Sequence, residues 1–516
     1  MNSKLLIKLL QNLPPKLIES FSLKIRDRTL KNAIKTRAYK NLLKTNNINL
    51  KDLDFNKLPI TDKHSYITPN SLKDLIAYPI KEHYTIEMSS GHSGQPLYWP
   101  RFKGQDDNFL NYMEMGLIFT YHIDKVPTLF LNTFALGTWV TGVKLAKFSL
   151  ELANKKNNEL ITINTGTNFE DAIKVLKDIG PLYSQIIIAG YPPFISTIVK
   201  KLHKTETNSL MSKIRIMAGG EAFSESWREN INTLLGKKNN YTKIFSAYGS
   251  ADTGLEIGYE QPITVLLRKL LEDNHKLKES ILGTNYDYTP HFFQYNPLNV
   301  YIQEFKGELI FTSNVGIPLV KYNLHDAGGL LSFNKMIEIL KNKYNTKNLI
   351  RALKPLRLPC CYVFGRSDGT ISIDGANIYV EEIKQALDDY ESIKFYAQKT
   401  FTNINDAMAI IPFEKVAKSL LKQPIADYKL IDEIVSFSFS TENNSLVFVI
   451  YVNNSFNKKL YSRLETLLQK ILPIMLYKYC KGYQALVEEK LDSSIISVLI
   501  ANSINTNKIK NNYLIK

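Results

Sequence analysis

From residue 160 to residue 246 the chain repeats one pattern: a short apolar run, a helix-length amphipathic stretch, and another short run. The runs are 160–163, 186–188, 214–217 and 244–246, and the stretches between them include 168–179 and 193–204. Strands that are apolar on both faces must be covered on both faces, and crossover helices between parallel strands supply that cover. Residues 128–132 extend the series upstream. The pattern predicts an α/β protein whose large N-terminal part is built on parallel sheets. Polar residues just after such strands fall at the sheet edge where open parallel sheets bind ligands.

The flanks read differently. Residues 1–80 form a helical lead-in, with amphipathic stretches at 5–10 and 29–43 and a connection through Leu58-Pro59-Ile60-Thr61-Asp62-Lys63, where Thr61 or Asp62 suits a helix N-cap. Residues 299–305 and 308–313 read as a β-rich hairpin about Lys306-Gly307. After Arg366 come two strands, 434–440 and 445–452, joined by Thr441-Glu442-Asn443-Asn444, then a long amphipathic helix at 456–479. We expect an N-terminal core over 1–366 and a small mobile α+β domain over 367–516, divided by a short hinge near Asp368.

Composition narrows the function classes. A chain of 516 residues with 44% hydrophobic content can bury a large core over about two to four domains. Its apolar runs fall short of the roughly 20 residues that span a bilayer, so no membrane span is expected and a soluble cytoplasmic protein is. Cys360 and Cys361 are adjacent and Cys480 is remote, a spacing for packing rather than for disulfides or zinc. The net charge of +16 is scattered among Asn and Ile, which argues against nucleic acid and leaves a basic surface suited to polyanionic small molecules.

Between runs 84–88 and 97–101 stands Ser89-Ser90-Gly91-His92-Ser93-Gly94-Gln95-Pro96, whose glycines and hydroxyls could cradle phosphate or simply turn a hairpin. Four segments follow in order: Ala218-Gly219-Gly220-Glu221, Ser246-Ala247-Tyr248-Gly249-Ser250-Ala251-Asp252, Tyr322-Asn323-Leu324-His325-Asp326, and Gly365-Arg366-Ser367-Asp368 ahead of Gly375. Together they resemble the adenylate-forming superfamily of acyl- and aryl-coenzyme A ligases, and within it the phenylacetate-coenzyme A ligase and CapK-like branch. The resemblance runs from about Leu58 to the C-terminus. It implies ATP, Mg²⁺ and coenzyme A as cofactors and a small-molecule carboxylic acid, an aromatic one among the candidates, as substrate.

By that resemblance Ser89, Ser90, Gly91, Ser93 and Gly94 hold the β- and γ-phosphates, and Asp252 stands where the family has its Mg²⁺-associated acid, usually Glu. Gly219, Gly220 and Glu221 with Tyr248 and Gly249 flank the adenine, Asp326 takes the ribose, and Arg366 reaches ribose and phosphates. Asp368 matches the hinge, Gly375 the thiol tunnel, and Lys508 the catalytic lysine, with Lys510 as its rival. Phe134 and Trp139 match the segment lining the acyl pocket. Each also has a plainer reading: Asp252 as a helix cap, Tyr248, Phe134 and Trp139 as core aromatics, Asp326 as a turn residue, Arg366 as an ion-pair partner. Gln95 stands where family loops usually carry Lys, so Mg²⁺ and Arg101 or Lys103 would have to supply the missing charge. Two other outcomes remain in view: transfer to a carrier protein, amine or hydroxyl, and a catalytically silent nucleotide-binding protein.

Overall fold

The computed structural model describes residues 3–89, 97–102, 106–137, 140–220, 222–236, 242–283, 288–367, 371–373, 376–378, 380–398, 428–442, 445–452, 456–480, 483 and 496–502. At its centre is an eleven-stranded sheet. Five parallel strands come first in spatial order: Leu160–Asn164, Thr128–Asn132, Gln185–Gly190, Ile214–Gly219 and Ile244–Ser250. The sheet then continues through Gly254–Tyr259, His291–Tyr295, Cys360–Arg366, Ile317–Leu331, Glu308–Val315 and Val300–Phe305, each antiparallel to its neighbour.

Side-chain alternation sorts the parallel strands into two apolar layers. Leu129, Leu131, Ile186, Ile188, Ile214 and Ile216 pack against Leu176, Ile198 and Trp227 from helices Phe169–Asp178, Pro192–Thr205 and Glu225–Leu234. Phe130, Ile187 and Phe245 point the other way, onto Leu117, Phe148 and Leu152 from helices Asp106–Tyr121 and Val140–Ala153. The α/β reading of the sequence holds, and the parallel run is half of one mixed sheet rather than a sheet of its own. Helix starts follow local chemistry: Asn168 Oδ1 accepts from Asp171 N at 3.1 Å to open Phe169–Asp178.

The lead-in departs from expectation in one place. The amphipathic stretch 29–43 is divided between helices Pro15–Ala33 and Arg37–Thr45, because Thr36 Oγ1 accepts from Tyr39 N at 3.2 Å and restarts the helix. Of the two cap candidates Asp62 is the one used, accepting from Ser65 N at 2.7 Å. Thr61 instead exchanges backbone hydrogen bonds with Lys321 and Asn323, which ties the lead-in to strand Ile317–Leu331. Lys306 and Gly307 have φ of 53° and 79°, the paired positive values that a tight two-residue hairpin demands.

Residues 383–498 supply a separate apolar cluster, in which Phe439, Phe448 and Ile450 meet Leu464, Leu468, Ile471 and Met475. Its sheet is Ile434–Glu442 antiparallel to Ser445–Val452, as expected, plus Ile496–Asn502 running parallel, which the sequence reading did not include. Helix Tyr461–Tyr479 covers it. Cys360, Cys361 and Cys480 are buried free thiols, in keeping with a packing role. Among the described residues no helix is long and apolar enough to cross a membrane.

Candidate functional site

The parallel strands end together because their register aligns Asn132 with Ala189, Gly190 with Ala218, and Gly219 with Ala247. This common edge carries the glycine pair. A Cβ on Gly219 would stand 3.4 Å from the Phe134 ring, and one on Gly220, whose φ is +82°, would stand 2.3 Å from the Tyr191 ring. Gly220 is thus held to glycine by its φ and by the Tyr191 ring, whereas the space at Gly219 would take a Cβ at ordinary van der Waals contact. Phe134 is buried beside it and meets Tyr191 edge-on at 5.0 Å, so its ring belongs to the apolar layer directly beneath the glycines.

Two tyrosine–carboxylate pairs then join segments that three strands of the sheet separate. The Tyr248 hydroxyl donates to Asp326 Oδ2, and the Tyr322 hydroxyl donates to Asp252 Oδ2 at 2.8 Å. Each segment thus gives one phenol and one acid. Burial, reinforced by the facing carboxylate, holds both phenols well above their ordinary range, so tyrosine is the donor in each pair. The Tyr248 ring stacks on Phe293 with centroids 5.1 Å apart. Asp326 lies within strand Ile317–Leu331 rather than in a turn, directly across from Arg366, whose Nε is 4.0 Å from Asp326 Oδ1. Asp252 lies in a turn between two antiparallel strands, with no helix after it to cap.

Of the Ser/Gly loop, Ser89 ends strand His83–Ser89 opposite Leu97, while Ser90, Gly91, His92, Ser93, Gly94 and Gln95 lie outside the described residues. So do Lys103, Trp139, Glu221, Asp368, Gly375, Lys508 and Lys510. The stem of that hairpin is charged and buried: Glu87 meets Arg101 at 2.6 Å and Lys144 at 2.9 Å. Arg101 also donates to the carbonyls of Val315, at 2.6 Å, and Ala251. At 1% exposure its charge is spent on Glu87 and on anchoring the turn before Asp252, so it does not stand in for the loop's missing lysine. Ser367 donates to Glu308 and to the His325 carbonyl, fixing the chain one residue before Asp368.

Behind the glycine pair lies an ionic cluster that sequence reasoning missed. Arg228 donates to both oxygens of Glu260 at 2.9 Å and to Glu225 at 3.0 Å, and Arg268 stands 3.0 Å from Glu225. Burial works against the Glu260 carboxylate, but Arg228, His291 and Arg268 outweigh it and draw its pKa down to about 2. Burial, then Arg268, pulls His291 down to about 4. The neutral imidazole donates from Nδ1 to Glu260 at 2.9 Å and accepts at Nε2 from Phe223 N at 3.1 Å. The cluster therefore grips the chain three residues after Gly220. Glu87 and Arg101 left one trace in the sequence, a charge between apolar neighbours, and that trace names no partner; Glu225, between Ser224 and Ser226, and Glu260, ahead of Gln261, left none.

No family model and no curated protein matches the sequence. Solved structures match over nearly the whole chain. The crystal structure of 2-hydroxyisobutyryl-CoA ligase in the postadenylation state with R3-HIB-AMP aligns with a TM-score of 0.60 at 11% identity, covering 99% of this chain and 91% of that one. The same ligase with 2-HIB-AMP gives 0.58 at 12% identity, over 97% and 89%. The AtGH3.15 acyl acid amido synthetase in complex with 2,4-DB gives 0.52 at 11% identity, over 100% and 94%. In architecture, then, the protein has the fold of the adenylate-forming enzymes that its motifs resemble.

Proposed function

We propose that the protein activates a small carboxylic acid with ATP, forming an acyl-adenylate, and passes the acyl group to coenzyme A. The observation that carries this reading is the convergence of Gly219-Gly220, Tyr248, Asp252, Asp326 and Arg366, drawn from four segments of the sequence, on one edge of the sheet. The fold shared with a CoA ligase and an acyl acid amido synthetase supports it.

In the first step a carboxylate oxygen attacks the α-phosphorus, and the bond to pyrophosphate breaks. In the second a thiolate attacks the acyl carbon, AMP leaves, and the thiol proton goes to solvent. Asp326 accepts from the ribose hydroxyls, held in place by Tyr248, and Arg366 meets the growing phosphoryl charge. The glycine pair lets the backbone lie against the adenine. Mg²⁺ usually takes one or two protein carboxylates together with substrate phosphates, and Asp252 fits that need as a hard oxygen ligand oriented by Tyr322. Once bound, the cation would neutralise phosphoryl charge. Among the described residues no group of three or more His, Cys, Asp or Glu could hold a metal by itself, so phosphate must complete the set. Lys508 is the residue we assign to bridging carboxylate and phosphate oxygens in the first step, on a C-terminal domain that turns about Asp368 to bring the segment of Gly375 to the site for the second.

An ATP/pyrophosphate exchange assay over a panel of aliphatic and aromatic acids tests the reading. Acid-dependent exchange with coenzyme A consumption is expected. Exchange without thioester would redirect the second step to an amine, hydroxyl or carrier-protein thiol, and no exchange together with no ATP binding would overturn adenylation altogether.

A further inference from the structure

Helix Val380–Asp388 ends against the strap that follows the glycine pair. Asp388 Oδ2 accepts from Ser224 Oγ at 2.8 Å, and the Asp388 carbonyl accepts from Asn230 Nδ2 at 2.8 Å. Ser224 in turn caps helix Glu225–Leu234 by accepting from Trp227 N at 3.0 Å. The residue before it, Phe223, is held by His291 at its N–H, 3.1 Å, and by Arg268 at its carbonyl, 2.7 Å. One end of the strap is thus fixed by the buried ionic cluster and the other by Asp388. Lys200 to Asp432, at 3.3 Å, and Gln385 to Glu272, at 3.2 Å, close the same seam, and a crevice lined by Ala222, Phe223, Tyr288, Phe364, Lys384 and Gln385 runs along it.

The adjacent acid faces its own part of the chain, and the contrast is informative. Asp389 accepts from Lys478 Nζ at 2.8 Å, from Tyr479, and from Ser392 N at 3.1 Å, where helix Tyr390–Gln398 begins. Burial opposes it, but Lys478, Ser392 and Tyr479 hold its carboxyl below the usual range. Asp388 sits instead at a helix C-terminus, where the carbonyl end of the dipole repels negative charge. Burial raises its carboxyl to about 6, and Ser224, Lys384 and Lys200, the groups that face it, offset only part of that.

We propose that Asp388 is a positioning residue: through Ser224 and Asn230 it docks the C-terminal part onto the strap after Gly219-Gly220, so that docking orders the strap and undocking releases it. Docking itself is independent of the proposed reaction; its effect on nucleotide binding rests on that reading. The sign of the pH dependence follows from linkage. Freed from the seam, the carboxyl returns toward its ordinary value, so the docked state binds the proton more tightly. Docking is strengthened as pH falls below about 6 and weakened as pH rises through it, by about tenfold between pH 5 and pH 7.

The test uses the full chain with dyes on cysteines introduced at the exposed positions Lys174 and Lys459, since the native thiols are buried. Energy transfer reports docking, and hydrogen exchange reports the amides of residues 222–227. Wild type is expected to shift about tenfold toward docked from pH 7 to pH 5, with slower exchange in 222–227. Asp388→Asn, which keeps an acceptor and has no charge to titrate, should stay docked at both pH values. Asn230→Ala should loosen docking at both while keeping the pH dependence. Unchanged pH dependence in Asp388→Asn, or strap exchange indifferent to both variants, would overturn the proposal. Pyrophosphate exchange gives the second readout: Asp388→Ala should raise the KM for ATP more than it lowers kcat. If docking responds as stated but no variant catalyses exchange, the adenylation reading fails and the latch stands.

Discussion

Tyr322 shows what a single side chain contributes to the candidate site. It is buried with its hydroxyl on Asp252, so Tyr322→Phe leaves that acid short of a donor at about 1–3 kcal/mol. We expect a lower Tm together with at least a tenfold drop in pyrophosphate exchange and a steeper Mg²⁺ requirement, read by thermal unfolding and by a Mg²⁺ titration. Asp326→Asn separates charge from shape, because the amide can still accept from Tyr248. Its expected result is a rise of about tenfold or more in the KM for ATP with little change in Tm. An unaltered KM would assign Asp326 a purely structural role. At this scale the sequence singled out Asp252, Asp326 and Tyr248 but not which acid meets which phenol, since Tyr248 and Asp326 are 78 positions apart and only folding pairs them.

Among elements, the turn from Ile244–Ser250 into Gly254–Tyr259 is tightly constrained. A Cβ on Gly249 would fall 1.7 Å from Leu255 O, so Gly249→Ala must pry the two strands apart. It should cost more than the ordinary 1–3 kcal/mol of overpacking and displace Asp252, which a loss of cooperative unfolding and of exchange together would reveal. Local chemistry was readable for elements of this kind: the Lys306-Gly307 hairpin and the Asp62 cap stand where turn and cap rules put them. Two elements escaped. Helix 29–43 was broken by Thr36, whose capping capacity competes with a continuous apolar face, and strand Ile496–Asn502 depends on a parallel partner far back in the chain.

For the whole molecule, the buried cluster of Glu225, Arg228, Glu260, Arg268 and His291 links sheet, strap and helices. Replacing Glu260 by Gln leaves Glu225 to face both Arg228 and Arg268 and should cost about 3–5 kcal/mol, measured by denaturant unfolding at pH 7. The same cluster sets an acid limit. His291 is neutral when folded, with its pKa down at about 4, whereas the unfolded imidazole takes its proton near 6.5. The unfolded state therefore binds more protons between those values, and stability should fall as pH drops from about 6.5 to 4, by up to about 1.4 kcal/mol per unit. His291→Gln should flatten that slope. What the sequence determined by itself was whatever depends on neighbours along the chain: strand and helix alternation, turns and caps, the glycines, and the order of polar residues after strands. Tertiary structure alone decided which acid meets which phenol, that Arg101 serves the stem rather than the loop, and that Asp388 and Asp389 face different parts of the protein. The physical reason is that a buried polar group must find a partner wherever folding places one, and sequence distance has no say in where that is.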